Sequence, residues 1–425
     1  MPMRQSEGFL QPGVLILAHA FPPENIVGAL RPGRFAKYLP ENGFRVHVLT
    51  ASRQQETTVG VHWVPDRSLT GQSFGARLLR RIRAIAIRSV YPGAEGQSFL
   101  WLAKALRVAS RVIAREQLTF LVSTFPPLTT HLAALWLKRR NPRLWWIADF
   151  RDPLIGNPVA TGRADTLNRY IELAIFSNAD VLVANTDAVA ARWRAIYPQY
   201  RKKITHIWNG FDPEETIGPL AIPPRHFRQL AHVGEIYGGR HPGVLLDALL
   251  RLRRSLAQMP PFKLELIGEI DRGTLPNAAV LTALERDGLV VVSPPAHSSS
   301  NAAQIMAEAD ALLLIDWAGY SAGLQVPSKL YVYLRIGRPI LAITTKDSPV
   351  DRILHQSAFA FACLYPNDSE AQIDAKILAF LSLPNEARHS SPWFFENFDG
   401  RHQVATLARL LRPTDNASPA AALRG

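Results

Sequence analysis

Short apolar runs alternate along this chain with longer stretches of helical period. Residues 14–18, 46–50, 120–123, 145–149, 181–184 and 204–208 are apolar at largely consecutive positions. Strands buried on both faces read this way, whereas strands with one wet face alternate. Residues 30–41, 101–116, 128–139, 167–177 and 188–196 carry the 3.6-residue period and predict helices between them. The rhythm restarts after residue 225. Strands are predicted at 229–233, 263–267, 290–293, 311–315 and 340–343, and helices at 242–256, 302–309 and 330–336. Strand–helix alternation of this kind predicts a parallel sheet covered by helices on both faces.

The break between the two series lies at 213–224, a stretch rich in Pro, Gly and acidic residues. The expected fold class is α/β, with two doubly wound Rossmann-like domains at 1–210 and 225–390 facing a cleft. A last helical stretch at 403–411 lies within a segment at 391–412. The tail 413–425, rich in Ala, Pro and Ser, is expected to be disordered. In open α/β sheets, ligands bind outside the carboxyl ends of the strands. Functional residues are therefore expected in loops that follow strands.

Charge changes this picture. The 425 residues carry a formal net charge of +13, and the surplus is confined to the first half. Residues 1–203 hold 28 Lys+Arg and 13 Asp+Glu, while the remainder is slightly acidic. Such an asymmetry points to a polyanionic partner of the first domain. The single cysteine, Cys363, excludes a disulfide framework and a cysteine-rich metal site. No apolar run of roughly 18 residues predicts a transmembrane helix. Ala18-His19-Ala20 imitates a signal-peptidase site, but the basic region before it is a single arginine, Arg4. Cytoplasmic placement is expected.

Five segments sit after strands and carry chemistry. In Phe21-Pro22-Pro23-Glu24-Asn25-Ile26-Val27-Gly28, Gly28 permits close backbone approach at a helix N-terminus, which favours an anion. The dinucleotide pattern GxGxxG is absent. In Asp149-Phe150-Arg151-Asp152-Pro153, two carboxylates flank a guanidinium. Arg151 could clamp a phosphate or carboxylate, and Asp149 could accept a hydroxyl proton; a local ion pair closing the turn is the plainer reading. Asn209-Gly210 favours a tight turn and predicts a hinge between domains. Gly234-Glu235-Ile236-Tyr237-Gly238-Gly239-Arg240 follows a strand and suits a diphosphate cradle. Ser328 is an expected N-cap, which puts Lys329 in the first helical turn, against the dipole. That placement makes sense if Lys329 meets a bound anion. His131 falls inside a predicted helix and is read as structural.

Taken in order, Phe21-Pro22-Pro23-Glu24-Asn25, Asp149-Phe150-Arg151-Asp152, Trp208-Asn209-Gly210-Phe211-Asp212 and Val326-Pro327-Ser328-Lys329-Leu330-Tyr331, with Gly337-Arg338-Pro339, resemble the family 4 glycosyltransferases of GT-B fold. The resemblance implies sugar transfer from a nucleotide-sugar donor to a polysaccharide, glycolipid or lipid-linked acceptor, retaining and metal-independent, with no cofactor. It also implies a terminal helix returning to the first domain. Asp149, Arg151 and Asp152 would lie near the reacting groups. Gly28, Gly234, Tyr237, Arg240, Ser328, Lys329 and Tyr331 would bind the donor. Among the departures from the family pattern, Glu235 follows Gly234 where an Arg/Lys pair often neutralises the diphosphate, and Asp149 stands where many members carry a histidine. Val332 and Leu324 stand where many members carry glutamates near the donor, and valine accepts no hydrogen bond from a ribose hydroxyl. An unpaired ribose hydroxyl would cost ~1–3 kcal/mol of donor binding. A nucleotide-sugar epimerase of the same fold and a catalytically silent binding partner are the rival readings.

The basic surplus concentrates at 77–115. Arg80, Arg81, Arg83 and Arg88 are interleaved with apolar residues, and Trp101 follows. A basic, partly amphipathic helix with nearby aromatics suits an anionic bilayer interface. Peripheral docking on the inner membrane face is the expectation. Nucleic acid is an unlikely partner, because no helix-turn-helix, zinc-finger or RNP-like pattern occurs.

Overall fold

The computed structural model describes residues 11–24, 26–53, 60–66, 99–155, 163–256, 261–316, 323–357 and 360–412. Each run of consecutive apolar residues is a strand with neighbours on its edges and helices over its faces. The first sheet contains β1 (Gly13–Leu17), β2 (Arg45–Thr50), β3 (Gly60–Trp63), β4 (Phe120–Phe125), β5 (Trp145–Phe150), β6 (Val181–Ala184) and β7 (Ile204–His206). Their order is β3-β2-β1-β4-β5-β6-β7. The second contains β8 (Arg228–Val233), β9 (Phe262–Ile267), β10 (Val290–Ser293), β11 (Ala311–Ile315), β12 (Ile340–Ile343) and β13 (Phe361–Leu364), ordered β10-β9-β8-β11-β12-β13. The pairings in both are parallel. Strand order reverses between β1 and β4 in one sheet and between β8 and β11 in the other. Those two switch points are where a doubly wound sheet opens a crevice for ligand.

The chain divides into two compact units. One ends at Trp208 and resumes at Gly400; the other is Asn209–Asp399. The expected hinge residues Asn209 and Gly210 thus open the second unit. The return to the first unit comes at Gly400, not at residue 391. Helix Pro392–Phe398 stays in the second unit because Phe394 stacks on Phe211 at 5.4 Å and Phe398 packs on Tyr331 at 5.1 Å. Helix Gly400–Leu410 returns to the first sheet. Its Val404, Leu407 and Ala408 pack with Val14, Ile16, Val46 and Val48, and Trp145 Nε1 donates to the Leu410 carbonyl at 3.0 Å.

The weakly patterned elements escape the sequence reading. β3 is four residues long, at the sheet edge, with half-exposed His62. β13 is a short edge strand of modest apolarity. Helices Ala278–Arg286 and Pro349–Gln356 fill crossovers, and Glu370–Leu381 follows the last strand. The last of these carries a full capping box from Ser369 and Gln372, a signal visible in the sequence. The first helix spans Val27–Tyr38, three residues earlier than expected at both ends, and a 3-10 turn, Pro40–Asn42, follows it. The tail 413–425 lies outside the described residues. None of the described helices is long and apolar enough to cross a membrane.

Candidate functional site

In the second unit, β8 is followed by Gly234, whose φ of +131° suits glycine. Gly268 follows β9 and backs directly onto it; a Cβ there would come within 2.5 Å of the Gly234 carbonyl oxygen. A Cβ on Gly234 would itself collide with Lys329 Nζ. The two glycines therefore let a lysine ammonium lie against bare backbone. Lys329 is the first residue of helix Lys329–Ile336, and its Nζ is 3.5 Å from His232 Nε2. Buried His232 donates from Nδ1 to the Leu313 carbonyl at 2.9 Å. That bond fixes the tautomer and turns an Nε2 lone pair towards the lysine. Burial, then the Lys329 charge, push the His232 pKa down to about 3, so the imidazole is neutral. Burial, then Arg240, lower Lys329 to about 8, against the opposing pull of Glu235. These groups line a recess of about 50 Å³ together with Pro327, Ser328 and Ile315. Two cations are held there with one carboxylate at a helix N-terminus. Such an arrangement stabilises a bound anion.

Three expectations for this unit need correction. Ser328 does not cap its helix: its backbone is already helical (φ −57°, ψ −26°) and its side chain makes no capping bond. The Pro327 and Ser328 carbonyls instead accept from Leu330 and Tyr331 N–H, which leaves the Ser328 hydroxyl on the recess. Tyr331 is 2% exposed and packs on Phe398, so it is a core residue and not a donor contact. Tyr237 is 44% exposed and shapes the turn through its carbonyl, which accepts from Arg240 N–H; its ring does not line the recess. Val332 is half-buried on the same helix.

In the first unit, Asp149 at the end of β5 is 1% exposed, and both its oxygens are taken by Arg31. Arg31 Nε donates to Oδ2 at 2.9 Å and Nη2 to Oδ1 at 2.6 Å, while Nη1 donates to the Trp208 carbonyl at 2.7 Å. A carboxylate so occupied is not a base for an acceptor hydroxyl. Asp149 anchors the first helix to the sheet, which corrects the catalytic assignment. The ion pair expected within the motif forms with a residue 118 positions away. Its signal was present: Arg31, Phe35 and Tyr38 follow helical spacing and are all buried. A charge on a core stripe demands a buried partner.

Arg151 points elsewhere. Its Nη2 donates to the Pro126 carbonyl, and its own carbonyl accepts from Asn185 Nδ2. A Cβ on Gly28 would lie 2.7 Å from Arg151 Nη1. Gly28 therefore makes room for the guanidinium. Half-buried Asp152 follows it. His131 is structural as read: fully buried, with Nδ1 2.7 Å from Ser123 Oγ, and with its pKa lowered to about 3 by burial. Sequence reading missed His19, just past β1, whose Nε2 is 3.1 Å from Asp66 Oδ2. A histidine directly after a switch-point strand was the available signal.

Trp101 is corrected as well. It is 1% exposed, its Nε1 donates to the Val64 carbonyl at 2.9 Å, and it meets His19 edge-on at 5.2 Å. A side chain so enclosed does not touch a bilayer. Arg80, Arg81, Arg83 and Arg88 lie outside the described residues. Helix Phe99–Glu116 does expose Arg107, Arg111 and Arg115, spaced four apart on one ridge.

Residues 33–215 match the family model described as Glycosyltransferase Family 4. No curated protein matches the sequence. Solved structures match across both units. Sucrose-phosphate synthase from Thermosynechococcus elongatus is 14% identical, covering 93% of this chain and 94% of its own, with a TM-score of 0.58. The lipopolysaccharide outer core galactosyltransferase WaaB is 12% identical, covering 94% and 98%, with a TM-score of 0.59. Anabaena HepE, solved with UDP and glucose, is 15% identical, covering 94% and 98%, with a TM-score of 0.56. The chain has the GT-B fold of these structures, and its residues 33–215 resemble the family 4 glycosyltransferases.

Two outcomes follow from the geometry. Asp149→Asn or Arg31→Ala should each lower unfolding free energy by ~3–5 kcal/mol, because each strands a buried partner. Urea denaturation should show the double variant Arg31→Met/Asp149→Leu losing less than either single change. The Lys329 charge sets a pH dependence. Its folded pKa of about 8 lies below its ordinary 10.5, so the unfolded chain binds more protons in that window. Stability relative to Lys329→Met should therefore rise from about pH 8 to 10.5, by on the order of 3 kcal/mol in total. A pH-independent difference would contradict a buried cation.

Proposed function

We propose that the protein transfers a hexose from a nucleotide-sugar donor to a polysaccharide, glycolipid or lipid-linked acceptor. The observation that carries this reading is the ammonium of Lys329 held against Gly234 beside Arg240. Holding two cations so close, one of them largely desolvated, is unfavourable until an anion arrives. A nucleotide diphosphate supplies that anion. As the bond between the sugar C1 and the phosphate oxygen breaks, negative charge grows on the leaving diphosphate, and prepositioned cations stabilise it without reorganisation. The Ser328 hydroxyl adds a donor to the same recess. Arg151, on the first unit, is the candidate contact for an acceptor phosphate or carboxylate.

Retention at C1 and independence from metal and cofactor belong to this proposal as implications of the family resemblance. HepE solved with UDP-glucose and WaaB, named as a lipopolysaccharide galactosyltransferase, support donor and acceptor classes of this kind. Peripheral docking on the inner membrane face is part of the same reading. The Arg107, Arg111 and Arg115 ridge, with the basic surplus of the first half, supports an anionic surface as partner.

A thermal-shift screen of UDP-, GDP- and ADP-sugars tests the donor. One donor should stabilise the wild type and fail to stabilise Lys329→Ala, and its affinity should weaken as pH rises through about 8. That donor should then yield a glycosylated acceptor, not an epimer. Stabilisation by no nucleotide sugar would favour a silent binding partner. For docking, sedimentation with anionic vesicles should exceed that with neutral vesicles. Charge reversal at Arg107, Arg111 and Arg115 should reduce the affinity by about a hundredfold or more, at ~1 kcal/mol per residue near the surface. Equal recovery with both vesicle types would overturn electrostatic docking.

A further inference from the structure

A second cavity, of about 270 Å³, shares no lining residue with the Lys329 recess. Its floor is one face of three neighbouring strands, carrying Gln229 on β8, Glu265 on β9 and Ser293 on β10. The hydrogen bonds on this floor run in one direction. Gln229 Nε2 donates to Glu265 Oε2, and Ser293 Oγ donates to Glu265 Oε1 at 2.8 Å. These two bonds hold the carboxylate rigid and use one of the two amide N–H groups of Gln229. Gln229 Oε1 and the unused lone pairs of Glu265 supply acceptor capacity on the same floor. Gln229 is 6% exposed, and its Oε1 is fully buried with no hydrogen-bond partner. A buried acceptor without a donor is unfavourable and marks a place where a donor belongs.

The remaining walls select the ligand. The Arg225 guanidinium, held by Asp310 at 3.4 Å, also lines the cavity, so the carboxylates there already face a resident cation. An anion is disfavoured by Glu265 and Glu308. Ile267, Ile305, Pro294 and Pro295 make part of the wall apolar, so a ligand with an apolar face fits better than water alone. Asn301 Oδ1 accepts from the His297 N–H at 3.2 Å, which leaves the Asn301 amide N–H groups as donors at the rim. A neutral ring with hydroxyl donors around its edge and C–H bonds on its face meets all these conditions. We infer that this groove is a carbohydrate subsite holding one pyranose ring of a glycan, separate from the sugar being transferred. Its hydroxyls donate to Gln229 Oε1 and to the free lone pairs of Glu265, and its C–H face lies on Ile305 and the two prolines.

The inference does not need the transferase reading, because it concerns binding alone. The test is saturation-transfer NMR on the full chain with the methyl glycosides of glucose, galactose, mannose and N-acetylglucosamine. At least one should receive saturation. Gln229→Met, which removes the unmet acceptor, should weaken it by about tenfold, the loss of one hydrogen-bonded contact. Ile305→Trp fills the groove without touching its floor and should abolish the signal, which keeps the test decisive if Gln229→Met fails to fold. UDP binding should survive in Ile305→Trp. Three results would overturn the inference: saturation of none of the four glycosides, an undiminished signal in Ile305→Trp, or displacement of the glycoside by UDP, which would make the groove part of the donor site.

Discussion

The buried pair of Arg31 and Asp149 organises the first unit. Arg31 reaches from the first helix, closes both oxygens of a carboxylate at the end of β5, and holds the Trp208 carbonyl where that unit hands the chain on. Neither charge is tolerable there alone, since desolvation of an unmatched ion exceeds the gain from any ordinary packing. The pair therefore behaves as one component. It fixes the first helix against the sheet and thereby sets the helix start that carries Gly28 over Arg151. A pair of equal volume made from apolar side chains would hold the helix too, but without directional preference. Three charge-assisted bonds in one plane set both position and rotation.

The second unit uses a charge in the opposite sense. Lys329 is not matched inside the protein; it faces a neutral imidazole, a like-charged Arg240 and a single carboxylate. The glycines at 234 and 268 remove the side chains that would otherwise shield backbone from ligand. One unit thus satisfies its buried arginine internally, and the other keeps its lysine short of anionic partners. The contrast is the difference between a structural ion pair and a binding site, and it rests on the partner and not on the residue type.

Much of this was legible in the sequence, and unevenly so. Central strands such as β6 and β11 carry unbroken apolar runs, and their bounds match the reading residue for residue. Edge strands β3 and β13 do not, because half of each faces water and apolar pressure is weak there. The site was legible as motifs but not as pairings. Asp149 was visible; its partner Arg31 was not sought, because the nearer Arg151 satisfied a local reading. Motif gives Tyr331 to the donor and neighbourhood gives Trp101 to a membrane or acceptor contact, and tertiary packing buries both. Local spacing says which residues share a face; it does not say which face another helix will cover. Ser328 failed for a smaller reason, since the helix begins through its backbone and frees its hydroxyl.

The return of the chain at Gly400 bears on how the protein is made. The first unit has most of its sheet by Trp208, yet the helix that covers Val14, Ile16, Val46 and Val48 is encoded at the far end. During synthesis from the N-terminus, those strands must wait while the whole second unit emerges. Domains that fold as units during translation ordinarily complete in order. Here the unit begun first is completed only after the second, and its apolar face stays open to chaperones, or to other nascent chains, until the helix Gly400–Leu410 has emerged.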